Sequence, residues 1–347
     1  EQPDAPAGGN RRKTQMKCRT IVFTEREKAE LIETDFEQIN PEPGFALLKT
    51  EYTLISPGTE RACLLGLVDG SFPMTLGYSA VATVLEAGKG SDLKPGDRAV
   101  IYHSHHSSLQ LKEERDIVRI ENPAIDSRDA VFAVTAAMGL QGIRKVRPEL
   151  GESVAVMGLG LLGLAAVRCA HLSGAFPLIA LDFNKKRRAI AKEFGADFVF
   201  SPDEPELKRK IQDLTHGGIN ALIEVTGNPD ALNSALDFMA PLGRIALVGC
   251  SRLPTEQIDF YHKVHKPGIS IIGAHNFVRP RNDSHPGYWT MRDDMRTLLR
   301  LTAAGKFKPS AMQSEIAKPE DAPEIFRRLV KGDPDMLGVL FDWRDMK

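Results

Sequence analysis

The run Ser153-Val-Ala-Val-Met-Gly158-Leu-Gly160-Leu-Leu-Gly163 constrains this chain more than any other segment. Val154 to Met157 is a short apolar run of strand type. It leads into G-x-G-x-x-G, and Leu164 to Leu172 reads as a helix. A strand, a glycine turn and a helix in that order open a βαβ unit that holds a dinucleotide. The three glycines serve different ends. Gly158 permits the tight turn, Gly160 lets backbone approach a pyrophosphate, and Gly163 lets helix and strand pack closely. The N–H groups of Leu161 and Leu162, at the positive end of the helix, face the phosphates.

A glycine motif alone is weak evidence, and its surroundings strengthen it. Pro177-Leu-Ile-Ala-Leu181 reads as a second parallel strand and ends in Asp182, 19 residues after Gly163. An acid there accepts hydrogen bonds from the adenosine ribose hydroxyls. It also reads as a cap for the helix expected to start near Lys185, and the two readings are compatible. A carboxylate repels a 2′-phosphate and so favours NAD over NADP. The run Lys185-Lys186-Arg187-Arg188 cuts the other way, or is a solvated helix face with Arg187 near the ribose.

The 347 residues suit two domains with sizeable cores. Lys and Arg number 45 against 46 Asp and Glu, and no basic stripe points to nucleic acid. No apolar run approaches the roughly 20 residues that cross a membrane. Cys18, Cys63, Cys169 and Cys250 are scattered, without C-x-x-C, which fits reduced thiols in a cytoplasmic protein and no Cys-based zinc lobe. Residues 1–15 are polar and rich in Pro and Gly, and read as a flexible leader.

From Cys18 to about Arg119 short strands alternate with turns, as in a mostly antiparallel β domain; examples are 46–55, 80–87 and 99–102. From about Ala130 strands at 154–157, 178–181, 197–200, 221–225, 244–249 and 269–273 alternate with helices at 161–172, 185–194, 204–214 and 230–239. Six strands with crossover helices predict a doubly wound parallel Rossmann sheet. The remainder predicts a helix at 291–304, a strand near 313–316, a helix at 320–330 and a last strand at 338–342, returning to the first domain.

Several segments taken in order resemble the medium-chain dehydrogenase/reductase superfamily, the alcohol- and polyol-dehydrogenase-like proteins. They are Ser56-Pro-Gly-Thr-Glu60, Thr75-Leu-Gly77-Tyr-Ser-Ala-Val-Ala-Thr-Val84, Leu93-Lys-Pro-Gly-Asp97-Arg-Ala-Val, the glycine motif, Asp182-Phe-Asn-Lys-Lys, Phe194-Gly-Ala-Asp197 and Gly243-Arg-Ile-Ala-Leu-Val-Gly249. The resemblance covers nearly all of 17–347. It implies a GroES-like catalytic domain (16–136 and 278–347), a Rossmann domain (137–277) and an active-site cleft between them.

The zinc-dependent members have a Cys where this chain has Pro57, a Gly-His-Glu where it has Gly77-Tyr78-Ser79, and a further Cys near Val134-Thr-Ala-Ala137. The four-Cys lobe is replaced by Ile101-Tyr-His-Ser-His-His-Ser-Ser108. Pro offers no donor and Tyr is a poor zinc ligand. The expectation is a zinc-independent member, near a subgroup with bacteriochlorophyllide dehydrogenase-like and sugar-dehydrogenase-like proteins. His103, His105 and His106 read either as a metal-binding run or as a polar turn, and the turn is favoured.

Without a metal, hydrogen-bond donors must meet the charge on the reacting oxygen. By the resemblance, Thr59 lies at the proton-relay position and Tyr78 at a ligand position facing the cleft, as an acid or as a packed ring. Glu60 orients neighbours or acts as a base. His103 and Tyr102 are further cleft candidates, while Thr226, Gly249 and His275 lie at strand ends near the nicotinamide. His275 also reads as a solvent-facing polar residue. The leading function is NAD(H)-dependent interconversion of an alcohol, polyol or sugar with its ketone. The alternatives are an NADPH-dependent quinone or enoyl reductase, a non-catalytic nucleotide-binding protein, and chemistry in which bound NAD is recycled. The apolar strand 268–273 predicts a homodimer through the Rossmann sheet edge.

Overall fold

The computed structural model describes residues 15–37, 40–68, 70–250 and 257–346. The expected leader falls, but for Gln15, outside them. The chain opens with β1 (Gln15–Glu25), β2 (Lys28–Glu37) and β3 (Phe45–Leu54), then α1 (Pro57–Leu64), β4 (Met74–Thr75), β5 (Ser79–Ala87), β6 (Arg98–Tyr102), β7 (Leu109–Glu113) and β8 (Ile117–Arg119). Helices α2 (Ser127–Ala130) and α3 (Ala133–Val146) follow.

Strands and helices then alternate: β9 (Val154–Met157), α4 (Leu161–Leu172), β10 (Leu178–Leu181), α5 (Lys185–Glu193), β11 (Phe198–Phe200), α6 (Leu207–Thr215), β12 (Ile219–Glu224), α7 (Pro229–Leu236), β13 (Met239–Leu247) and β14 (Ser270–Gly273). The chain closes with α8 (Met291–Ala303), β15 (Gln313–Ala317), α9 (Ala322–Lys331) and β16 (Gly338–Asp342).

The six strands β9 to β14 form one parallel sheet in the order β11-β10-β9-β12-β13-β14, which is the doubly wound topology. Strand β9 is buried throughout because helices cover both sheet faces. Val154 and Val156 pack with Leu161 and Leu164 of α4, while Ala155 and Met157 pack with Ile211 of α6 and Leu236 of α7. The two-residue period of the strand divides its side chains between the two helical layers.

The second large sheet runs β15-β16-β3-β5-β6-β8, with β7 also on β3. It is antiparallel except for the β15–β16 pair. The last strand thus returns to the first part of the chain, as the pattern predicts. A smaller sheet, β2-β1-β4, packs Ile21 and Phe23 against Phe326, Phe341 and Trp343.

Helix α3 runs unbroken through 136/137, where the sequence reading divides the domains, because nearly all its residues are buried beneath α4 and α8. Helix α7 stops at Leu236, short of the expected 239, because the chain re-enters the sheet at Met239. Helix α6 starts at Leu207 rather than 204, after Glu206 adopts a left-handed conformation.

Candidate active site

Two strand ends and one helix start bring the polar groups together. Tyr78 immediately precedes β5, and Ser79 pairs across to Tyr102 at the end of β6, so both tyrosines lie at the same end of the sheet. Helix α1 begins with Pro57, which fits a first turn because its missing N–H has no helical partner there. Its N-cap residue, Ser56, makes no side-chain cap bond. The Ser56 amide donates to Glu60 Oε1 at 2.8 Å, and the Ser56 hydroxyl shares a hydrogen bond with the Tyr78 hydroxyl. Thr59 bonds to Tyr78 as well. Burial pushes the Tyr78 hydroxyl well above the usual phenol range, so it stays protonated at any ordinary pH.

Beneath this cluster lies a closed polar network. Glu60 and His106 are each 1% exposed, with His106 Nε2 3.1 Å from Glu60 Oε2. His106 Nδ1 lies 2.7 Å from Thr53 Oγ1, which also accepts from Trp343 Nε1–H at 3.0 Å. A carboxylate only accepts, so the Glu60 contact calls for an imidazole N–H at Nε2, and the Thr53 hydroxyl still has its own proton to offer Nδ1. Glu60 is thereby turned away from the cleft, inward onto the helix start and His106.

The two large sheets meet through a side chain on each. The Tyr102 hydroxyl bonds to the Asn276 amide, three residues past β14, and burial pushes that hydroxyl up to about 12. His103 is half-exposed, with its ring stacked on Tyr102 at 3.6 Å and Nδ1 3.2 Å from Asp116. His105 is exposed. The three-histidine run is therefore split, with only His106 drawn inside. His275 is exposed and folds back on Phe277.

The carboxyl ends of the parallel strands form a crevice beside this cluster. Gly158 takes φ +90°, and a Cβ on Gly163 would lie 1.8 Å from the Gly158 carbonyl oxygen, so both need glycine. Gly160 faces open space on its Cβ side, and α4 begins there without a side-chain cap. Leu161 and Leu162 thus present uncapped N–H groups beside an open approach, an arrangement that suits a pyrophosphate. Asp182 accepts from the Leu159 amide and the Asn184 amide, both at 2.7 Å. Arg187 is half-buried near Met336, and its Nε has no hydrogen-bond partner among the described residues. Lys186 is tied to Asp335, and Arg188 to the carbonyls of Asp182 and Phe183.

Behind the turn after β12, Glu224 accepts from the Thr226 and Gly227 amides at 2.7 and 3.2 Å, and from the Thr226 hydroxyl. Gly249 packs so closely that a Cβ would lie 2.3 Å from the Gly227 nitrogen. Thr226 and Gly249 thus share one rigid turn at the crevice. Burial raises the Glu224 carboxyl above its ordinary range.

A family profile described as zinc-binding dehydrogenase matches residues 162–291. The NADP-dependent isopropanol dehydrogenase of Thermoanaerobacter brockii is 30% identical over 248 residues, spanning 59% of this chain and 70% of that protein. The chain belongs to the medium-chain dehydrogenase/reductase superfamily. The D-guloside 3-dehydrogenase of Escherichia coli K12 is 26% identical over 284 residues, 80% of this chain and 79% of that protein. The benzyl alcohol dehydrogenase structure from Acinetobacter calcoaceticus superposes with a TM-score of 0.80 at 19% identity, covering 94% of this chain and 99% of the other. Membership implies a dehydrogenase with a nicotinamide cofactor acting on alcohols.

The matched segment begins after Pro57 and Tyr78, so it carries the nucleotide half and not the positions where zinc-dependent members hold their metal. At those positions Pro57 has no donor and the Tyr78 phenol is engaged by Ser56 and Thr59. Residues 134–137 offer only the Thr135 hydroxyl, which donates to the Phe132 carbonyl. Among the described residues no three His, Cys, Asp or Glu side chains converge. This donor set does not fit a zinc ion.

Sequence reasoning places Tyr78 and Thr59 together and sets Asp182 beside the glycine turn. It takes His106 only as one of a histidine run and Ser56 only as part of its motif, and it passes over Asn276 and Glu224. Ser56 has a local signal, as the residue before a proline that opens a helix. His106 and Asn276 depend on contacts distant in sequence, whereas Glu224 bonds to the turn two and three residues further on.

Proposed function

We propose that this protein is an NAD(H)-dependent dehydrogenase that interconverts a secondary alcohol, of polyol or sugar type, with its ketone without a catalytic zinc. The observation that carries the reading is the hydroxyl cluster Ser56–Tyr78–Thr59 at the position where zinc-dependent relatives hold their metal.

Gly158, Gly160 and Gly163 with the Leu161 and Leu162 amides would hold a nicotinamide cofactor, which would supply the hydride in ketone reduction and take it up in alcohol oxidation. As charge builds on the substrate oxygen, the Tyr78 hydroxyl donates to it. Because burial keeps that phenol protonated, it acts as an acid or as a proton carrier, not as a standing phenolate. Ser56 and Thr59 flank it, and Thr59 is exposed, so the proton exchanges with solvent through Thr59. Glu60 and His106 are positioning residues in this reading: they fix the start of α1 and with it Ser56 and Thr59. Tyr102 and Asn276 hold the two sheets in register across the cleft.

Three features support NAD over NADP. Asp182 places a carboxylate beside the glycine turn, Lys186 is spent on Asp335, and Arg188 is spent on backbone carbonyls. The guloside enzyme, named as a 3-dehydrogenase, supports a secondary hydroxyl on a sugar ring as the substrate class. The β14 edge, with Phe260, Tyr261 and Phe277 exposed on the segments flanking it, supports a homodimer across that edge. No described helix is long and apolar enough to cross a membrane.

The experiment is a fluorescence titration of the purified protein with NADH and with NADPH, followed by an NAD-coupled screen of polyols and sugars. Tighter NADH binding and turnover of a polyol or sugar are expected. Preference for NADPH would overturn the cofactor assignment and bring the quinone or enoyl reductase forward.

A further inference from the structure

We propose that the cavity between α3, the β14 edge and the loop 278–289 binds a phosphate group, free or carried by a small molecule, at a site distinct from the hydride-transfer cleft. The cavity measures about 340 Å³ and is lined by Arg144, Lys145, Arg147, Arg279, Tyr288 and Trp289 among others, with no acidic residue. One carboxylate stands behind it. Asp294, fully buried, accepts from Arg144 Nε at 2.6 Å and from Arg279 Nη1 at 3.0 Å. Four cations therefore share one anion, leaving three positive charges around the cavity. Among the described residues no ion pair involves Lys145 or Arg147.

The cations are held rather than loose. The Arg144 guanidinium lies over the Trp289 ring at 4.0 Å, with Arg147 and Lys145 at 5.4 and 5.8 Å from the Tyr288 ring. The guanidinium of Arg147 also passes 3.1 Å from the Cβ position of Gly287, so that turn closes on it. Like charges gathered in one place repel, and a dianion relieves that repulsion. Guanidinium forks match phosphate oxygens in geometry, and Lys145 adds a compact point charge. Another cavity, of about 580 Å³, offers a contrast. It sets Glu51, Asp126 and Asp342 against Arg98, Arg128 and Arg344 and carries no surplus charge.

The test uses the full chain and its own reporter. Trp289 is 39% exposed beside the cavity, and the only other tryptophan, Trp343, is fully buried elsewhere. Tryptophan emission is followed while inorganic phosphate, a hexose 6-phosphate, or sodium chloride at matched ionic strength is added. A saturable change with either phosphate and none with chloride is expected, and the tighter of the two identifies the source. Phosphate binding should weaken at least about 10-fold in the double variant K145A/R147A, while its NADH titration stays unchanged. That last arm separates this site from the glycine turn, which also attracts phosphates, and holds even if the dehydrogenase reading fails. Phosphate should also raise the melting temperature of the native chain more than that of the variant. An emission change that chloride reproduces, or that the variant retains, overturns the proposal. So does a change that follows protein concentration alone, since the second copy proposed to pair along β14 would then be what covers the cations.

Discussion

The His106 imidazole and the Glu60 carboxylate meet at 3.1 Å with both side chains almost fully buried. This pair fixes the start of α1, because Glu60 also holds the Ser56 amide there. Removing Glu60 leaves His106 Nε2 buried without its partner, although Nδ1 keeps Thr53. Glu60→Ala is expected to cost about 3–5 kcal/mol of stability, and Glu60→Gln, which keeps the acceptor oxygen for Ser56, less than half of that. Urea unfolding of the two variants beside the parent checks this. Equal, small losses would mean the pair positions nothing.

Tyr78 carries the chemistry in this account. Tyr78→Phe keeps the ring that packs against the core and deletes the hydroxyl shared with Ser56 and Thr59. Turnover should fall about 100-fold to 10,000-fold with little change in cofactor binding. Ser56→Ala, which leaves Thr59 on the phenol, should lose less. Because the phenol titrates far above the ordinary range, no rate limb from its ionisation should appear between pH 6 and pH 9. Steady-state kinetics across pH on both variants reads all of this.

Asp182 sets the cofactor in this account. Its carboxylate is fixed by two backbone amides at 2.7 Å and stands where ribose hydroxyls are recognised. Replacing it with serine should weaken NADH binding about 10-fold to 100-fold, the loss expected of charge-assisted hydrogen bonds, and should narrow the gap to NADPH. Unchanged binding of both nucleotides in the variant would remove Asp182 from the site.

Glu224 predicts a pH effect on stability. Burial is the largest cause of its raised value, and three donors from Thr226 and Gly227 oppose it in part. An acid whose folded value lies above its ordinary 4.5 holds its proton more tightly when folded. Its stabilising contribution is complete below the ordinary value and is lost as pH rises through the folded value. Glu224→Gln keeps an acceptor for the same donors and carries no charge. The variant should therefore gain melting temperature relative to the parent on going from pH 4 to pH 8. A constant difference across that range would contradict this.

The nucleotide half was legible in the sequence because its chemistry is local. Three glycines within six residues, a flanking strand and an acid at the next strand end are all short-range signals, and β9, α4 and β10 form at the residues predicted for them. The hydroxyl cluster was half legible. Tyr78 and Thr59 were linked by the resemblance, while the joining Ser56 was seen only as part of its motif. His106 was hidden because its fate depends on backbone pairing across the sheets. Its amide bonds to the Leu76 carbonyl and its carbonyl accepts from Ile21, and these bonds draw the ring under α1. Asn276 and Tyr102 are 174 residues apart and meet only where the two sheets do. Glu60 read as a candidate base because a motif position carries no direction. The structure turns its carboxylate inward, onto Ser56 and His106.

The proposed mechanism rests on hydroxyl groups doing the work of a metal. The most direct measurement is turnover with NAD across the polyol and sugar panel before and after exhaustive chelation, with metal content determined on the same samples by mass spectrometry. Activity should persist with far less than one zinc per chain and should fall about 100-fold or more in Tyr78→Phe. Activity that disappears on chelation and returns with added zinc would contradict it.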